Sequence, residues 1–398
     1  MQARIYWVGS ALLLALGLLL VACDNEPAAP PTTVPSSTMA PSRTPTPSPA
    51  PTIVPTPTPT LPPTPTPDRR DDVPAVCAGF PVDRDTGVPP AAPVTLVFNR
   101  PMDRASVEAA VVVTPPLPVT MTWAGEQRLS IAPAAWPAAT TFTVTLTSAA
   151  RTAAGEPLAR PFLVRFRADP AGGQVPIPIL MYHALIDLKP DADASLREWS
   201  NSPTTFAAHM DYLDREGYNP VGFPALLDYL ERNEPLPPKA VLITFDDGHR
   251  TFPTEALPVL QKHRFKATLF IVTDYPEGQY GAYMNWDAIR AAVAAGVDIG
   301  SHSKSHRSLT RLSPEEVARE LGDSKALIKE RLGYDVIVFS YPYGAFNDSV
   351  MSLVAEHGYR AAVTINPSPR QERGALYRLN RVHTPYDASL AEFIKWLP

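Results

Sequence analysis

Cysteine is scarce: the 398 residues contain two, Cys23 and Cys77, too few for a disulfide framework, so the fold must be held by packing. Basic excess is missing too. Thirty-five Lys and Arg against 40 Asp and Glu give a net charge of -5, without the electrostatic footprint that nucleic-acid binding requires. The one long apolar run, from about Ala11 to Val21, is too short and wrongly flanked for a spanning helix. Histidine is absent from the first 182 residues, and all eight lie between 183 and 383. What is abundant is proline, 48 residues, which signals a low-complexity segment.

The N-terminus, MQARIYWVGSALLLALGLLLVACDNE, has the form of a secretory signal over residues 1–22. Leu20-Val21-Ala22-Cys23 resembles the bacterial lipobox, which implies that Cys23 becomes a lipidated first residue, anchoring the protein to the membrane outside the cytoplasm. With Cys23 acylated no intramolecular disulfide is possible, and no chemical role is expected of Cys77. Residues 23–71 form a linker; 16 prolines between 27 and 67 and almost no charge favour extended polyproline II. At about 3.1 Å per residue the stalk could reach on the order of 100 Å.

Between 72 and 170 apolar residues alternate with polar ones: Val94, Leu96 and Phe98; Phe142, Val144 and Leu146; Phe162, Val164 and Phe166. Period two with turn signals between runs predicts a small β-sandwich. GVPPAAPVTLVFNRPMD and TTFTVTLTSAARTAAGEPL resemble bacterial Ig-like domains, implying a spacer or a glycan-contacting module.

From 175 to 398 apolar strands (IPILMY, AVLITF, KATLFIV, VDIGS, VIVFSY) alternate with helical stretches, which predicts α/β architecture with parallel strands, open or barrelled. Ser202-Pro203 starts one helix, with Phe206, Met210 and Leu213 on one face. Ser313-Pro314-Glu315-Glu316 starts another with a capping box.

Four polar clusters follow strands: Tyr182-His183, Asp246-Asp247-Gly248, His302-Ser303-Lys304-Ser305-His306 and Ser340-Tyr341-Pro342-Tyr343-Gly344. This is the end of the strands where β/α folds build active sites. An Asp-Gly pair alone is ordinary turn chemistry, and two histidines four apart are commonly just solvated. Together, two imidazoles and one carboxylate make a plausible three-ligand site for zinc (Zn²⁺) or a similar divalent ion such as Co²⁺ or Ni²⁺. Adjacent carboxylates can then divide the work, one on metal and one as general base, with Gly248 permitting the sharp turn.

TFDDG, HSKSH and YPYG, in that order, resemble the leading motifs of the polysaccharide deacetylases of the NodB-homology type, carbohydrate esterase family 4. The resemblance implies a distorted (β/α) barrel and a metal-dependent enzyme with Asp246 as base, Asp247, His302 and His306 as metal ligands, and the Tyr343 backbone N–H as oxyanion donor. Trp286 resembles the family's groove aromatic, and Tyr341 and Pro342 of the third motif would join it in binding substrate. The motif arginine is replaced by Ser340, and LYRLNRVHT offers Arg381 and His383 in an unusual frame. VPIPILMYHAL resembles the entry strand of the poly-N-acetylglucosamine deacetylases, implying His183 as general acid, and Arg381 is expected to stand in beside Asp246.

The expected activity is N-deacetylation of N-acetylglucosamine units in an extracytoplasmic polysaccharide. Peptidoglycan and O-acetylated xylan are the rival substrates, and a non-catalytic surface glycan-binding protein is the alternative from another class. No oligomer signal is visible, so a monomer is the default.

Overall fold

The computed structural model describes residues 73–398 apart from 171 and 279. The signal segment, Cys23 and the proline-rich linker lie outside the described residues. No helix among the described residues is long and apolar enough to cross a membrane.

Residues 76–168 form two four-stranded sheets. One runs Val76–Phe80, Val94–Phe98, Arg128–Ala132, Thr120–Ala124; the other Asp85–Val88, Phe162–Ala168, Thr141–Leu146, Val111–Thr114. Because side chains alternate across a strand, Phe142, Val144 and Leu146 all turn inward while the intervening threonines lie toward the surface. Trp136 fills the centre, its ring 5.0 Å from Phe166 and its indole N–H donated to the Ala92 carbonyl at 2.8 Å.

The second half closes into a barrel of seven parallel strands, ordered Ile179–Tyr182, Leu379–His383, Ala361–Pro367, Val338–Ser340, Asp298–Ser301, Thr268–Ile271, Ala240–Phe245. Ile179–Tyr182 pairs with both Leu379–His383 and Ala240–Phe245, which closes the ring. Every residue of Ala240–Phe245 is buried, as expected for a strand covered on both faces. The helix Pro203–Glu216 starts at Ser202 and buries Phe206, Met210 and Leu213; Pro314–Leu332 starts at Ser313 with the complete capping box to Glu316.

The sandwich and the base of the barrel share one apolar core, in which Phe80 and Val88 pack with Val175, Ile177, Tyr229 and Leu236. Gly79 and Leu236 exchange backbone hydrogen bonds of 2.8 and 3.0 Å. At the junction, Asp85 is fully buried (0% exposed) and accepts from the Tyr229 hydroxyl and from Arg373, each at 2.6 Å, while its other oxygen accepts from the Gly87 amide. The Arg373 guanidinium also lies 4.9 Å from the Tyr229 ring centre. These contacts leave the opposite end of the barrel, with its own apolar core, to carry the polar clusters.

Candidate active site

Asp246 ends the strand Ala240–Phe245, and its amide donates to the Tyr182 carbonyl of the neighbouring strand at 2.9 Å. Asp247 and Gly248 both adopt positive φ, +69° and +74°. Two successive left-handed residues turn the chain sharply, and glycine takes the second without steric cost. The two carboxylates therefore leave the strand end in different directions.

Asp246 is 2% exposed and is gripped by Arg381 from the last barrel strand: Nη1 donates to Oδ1 at 2.7 Å and Nη2 to Oδ2 at 2.6 Å. This fork fixes the carboxylate plane. The Ser340 hydroxyl adds a bond of 3.1 Å to Oδ2 and accepts from Arg381 at 3.0 Å, while Arg381 Nε donates to the Thr364 carbonyl at 2.8 Å. Ser340 thus occupies the motif position of the missing arginine, and Arg381 reaches the same carboxylate from another strand. Burial opposes ionisation of Asp246, but the Arg381 charge, aided by His302, holds its carboxyl well below the usual range.

Asp247 faces the histidines. Its Oδ1 lies 3.5 Å from His302 Nε2 and 3.4 Å from His306 Nε2, and the two nitrogens are 3.2 Å apart. The three ligand atoms lie within 4.8 Å of one another. The pair sits on a loop rather than a helix: Ser303 and His306 have φ of +68° and +61°, and the His306 amide donates to Ser303 Oγ at 3.0 Å. His302 Nδ1 lies 2.8 Å from the Ser340 carbonyl; that bond places the proton on Nδ1 and directs the Nε2 lone pair to Asp247. Glu320, buried on the helix Pro314–Leu332, accepts from the Ser305 amide at 2.9 Å and from its hydroxyl, anchoring the same loop.

Asp247 Oδ1 is buried without a hydrogen-bond donor. Converging acceptors without a donor repel one another, so the set fits a divalent cation, and two imidazoles with one carboxylate suit zinc or a similar ion. Burial pushes the Asp247 carboxyl up to about 6 against the opposing pull of His302. Burial likewise lowers both His302 and His306, which favours the neutral, ligating form of each ring.

His183 follows the entry strand and shares the pocket. Its ring lies 5.0 Å from Trp199 and 6.4 Å from His383, and its Nδ1 is buried without a partner. Burial lowers its pKa to about 3, while the charge on Asp246 pulls the other way. Trp199 stacks on His383 at 4.9 Å, so two imidazoles and an indole wall one side of the site. His383 Nδ1 is 3.5 Å from Glu198.

The expected substrate-binding trio is not brought to an open surface. Trp286 is 7% exposed, with its indole N–H donated to Glu277 at 2.8 Å, because it begins a helix whose apolar face packs in the core. Tyr341 is buried with its hydroxyl on the Tyr377 carbonyl at 2.9 Å, and Pro342 is buried beside it, since the turn directs them inward. Tyr343, at φ +59°, is turned out instead, its ring 4.7 Å from His306. Sequence reasoning missed Trp199, which walls the site, and Glu320, which anchors the histidine loop. Trp199 stands alone between two short elements, where no periodicity marks it.

Residues 233–362 match the polysaccharide deacetylase family model, and residues 70–168 match that of the bacterial Ig-like domain. The Bacillus subtilis (strain 168) protein YxkH, named for polysaccharide deacetylation, is 30% identical over 206 residues, 52% of this chain and 70% of that one. The same organism's peptidoglycan-N-acetylmuramic acid deacetylase PdaC is 34% identical over 115 residues, 29% of this chain and 23% of that one. Among solved structures, the Streptococcus pyogenes deacetylase PplD in complex with acetate is 27% identical, with a TM-score of 0.53, covering 57% of this chain and 99% of that one. The Bacillus anthracis protein BA0330 shares the fold over 81% of this chain and all of its own, at 20% identity and a TM-score of 0.52. With the barrel, the sandwich and the Asp-His-His cluster in place, the chain belongs to the polysaccharide deacetylase family of metal-dependent hydrolases acting on carbon-nitrogen bonds, and carries a bacterial Ig-like domain ahead of its barrel.

Proposed function

We propose that the protein removes N-acetyl groups from N-acetylglucosamine units of an extracytoplasmic polysaccharide resembling poly-N-acetylglucosamine, anchored to the membrane through lipidated Cys23. The observation that carries this reading is His183, delivered by the Met181-Tyr182-His183 strand end into the pocket of the Asp246–Arg381 pair. The chain works as a monomer on this reading.

Asp247, His302 and His306 would hold Zn²⁺ or a related divalent ion, which when bound supplies Lewis acidity toward the acetyl oxygen and the attacking water. Asp246, kept ionised and oriented by Arg381, takes a proton from that water as it adds to the acetyl carbon. The Tyr343 backbone N–H donates to the oxygen that gains charge. His183 protonates the departing nitrogen as the C–N bond breaks, leaving acetate and a glucosamine unit. Its imidazolium is most accessible while Asp246 is ionised, because burial disfavours that cation and the Asp246 charge favours it.

Peptidoglycan is the second reading, favoured by the sequence similarity to PdaC, a protein named for peptidoglycan. Acetate release from N-acetylglucosamine oligomers, peptidoglycan fragments and acetylated xylan, after chelation and after Zn²⁺ addition, tests the assignment. Release from the oligomers above the other two supports it. Equal or greater release from peptidoglycan or xylan overturns it in favour of that polymer, and glycan binding without acetate release under any metal condition would leave a non-catalytic surface protein.

A further inference from the structure

The strand Leu379–His383 carries Arg381, yet its ladder is broken on both sides just where that residue begins. Its pairing with Ala361–Pro367 is irregular: Val363 faces Leu379 but Pro367 faces Arg381, so one strand advances from 363 to 367 while the other advances from 379 to 381. Inside that bulge the Thr364 carbonyl accepts from Arg381 Nε at 2.8 Å. On the other side Leu180 faces Val382 and Met181 faces His383, and the same register sets Pro178 opposite Asn380. Proline has no N–H, so it has no backbone donor to give Asn380.

A side chain takes the place of the missing ladder. Gln371, 0% exposed, accepts from the Asn380 amide through Oε1 at 2.9 Å and donates through Nε2 to the Asn380 carbonyl at 3.0 Å. Nε2 also donates to the Ile177 carbonyl at 3.0 Å. The three bonds allow one orientation of the carboxamide, because reversing it would set its NH2 against an N–H and its oxygen against two carbonyls. Gln371 is itself held by antiparallel pairing with Val175 in the segment that enters the barrel, and the Asn380 side-chain amide donates to the Arg370 carbonyl at 2.9 Å. The Asn380 carbonyl that Gln371 holds belongs to the peptide group joining Asn380 to Arg381.

Resting on the reading of Asp246 as the base, we infer that Gln371 is a positioning residue for the reaction: it fixes the backbone from which Arg381 reaches Asp246. Arg381 meets that carboxylate through a two-pronged fork with bonds of 2.7 and 2.6 Å, and a fork tolerates little displacement of its root. A misplacement of about 1 Å, even from a change away from the chemistry, can cost about 10²-fold in rate. Arg373, two residues on, reaches Asp85 instead. Neighbouring residues of one short segment thus serve the barrel mouth and the domain junction separately.

Gln371→Met, Arg381→Met, the double variant and Arg373→Met of the two-domain protein, with Zn²⁺ added, would be assayed on 4-methylumbelliferyl acetate, whose cleavage draws on the same base and water, and on penta-N-acetylglucosamine. On the ester, Gln371→Met should lose about tenfold in kcat with KM and bound zinc unchanged, and the double variant should match Arg381→Met within about twofold. Arg373→Met should keep the parental kcat, which separates positioning from a general loss of stability. If Gln371→Met does not fold, Gln371→Glu, which keeps the shape and the acceptor for the Asn380 amide, takes its place in the cycle. A parental kcat in the Gln371 variant, a loss confined to KM or to zinc, or a double variant showing the product of the two single losses overturns the role of Gln371. A parent protein that cleaves the ester but releases no acetate from the pentasaccharide overturns the substrate reading alone, and one that cleaves neither overturns both.

Discussion

Two buried aspartates in this molecule are each clasped by an arginine at 2.6 Å, Asp85 by Arg373 at the domain junction and Asp246 by Arg381 at the barrel mouth. Burial and pairing do not tell them apart. Their neighbours do. Around Asp85 both oxygens are taken and the arginine is sandwiched against aromatic rings, so the contact closes on itself. Beside Asp246 stand Asp247 Oδ1 and His183 Nδ1, buried without partners and close to two converging imidazoles. An unpartnered polar atom by itself is not diagnostic, because Arg373 Nε and His209 Nε2 are unpartnered as well. A site is marked by several such atoms aimed at one point.

Cutting the chain between the halves should do the most damage. Residues 175–398 alone would expose Tyr229, Leu236, Val175 and Ile177, which now pack against the sandwich, and leave Arg373 without Asp85. The fragment is expected to be largely unfolded or aggregated, while residues 73–398 unfold in one transition in calorimetry. A fragment with a Tm equal to that of the two-domain chain would show that the junction is dispensable.

The arginines come next. Arg373→Met leaves a buried carboxylate unpaired, and about 3–5 kcal/mol of stability should be lost in urea unfolding, with kcat of the folded protein unchanged. Arg381→Met should also destabilise, but in addition should lower kcat on the order of 10²–10⁴-fold, because Asp246 loses its orientation. If the two variants behaved alike in kcat, the distinction between junction and site would fail.

A smaller effect concerns acid. His209 is buried, bonded through Nδ1 to the Tyr182 hydroxyl at 3.0 Å and stacked on Phe393 at 3.9 Å, and burial lowers its pKa to about 4. The unfolded chain binds a proton there near pH 6.5 and the folded chain does not, so stability is full above about 6.5 and falls as pH drops toward 4. The loss from this residue should reach about 3 kcal/mol. His209→Gln should flatten that slope between pH 6.5 and 4 in urea melts; an unchanged slope would contradict the assignment.

Much of the site was legible because strand-end clusters are local signals. Asp246-Asp247, His302-Ser303-Lys304-Ser305-His306 and Ser340-Tyr341-Pro342-Tyr343-Gly344 each follow an apolar run, and barrel closure brings those ends together. Arg381 was readable from its place on a late strand, and it meets Asp246 across 135 positions of sequence. The Asp85–Arg373 contact spans 288 positions and was not legible, since Asp85 sits in an Asp-Arg-Asp-Thr-Gly stretch that looks like a turn. Trp286, Tyr341 and Tyr343 show the converse limit: sequence places an aromatic near a motif but not the direction of its ring. In the turn Pro342–Gly344 the positive φ of Tyr343, followed by that of Gly344, leaves the Tyr343 ring exposed while Tyr341 is buried.

In the proposed mechanism the adjacent aspartates do different jobs. Bound zinc and acetate release would be measured together on the two-domain protein and its Asp246→Asn and Asp247→Asn variants. Asp246→Asn should keep about one zinc per chain and lose turnover on the order of 10²–10⁴-fold, while Asp247→Asn should lose both zinc and turnover. Zinc lost from Asp246→Asn but kept in Asp247→Asn, or full turnover in either variant, would contradict it.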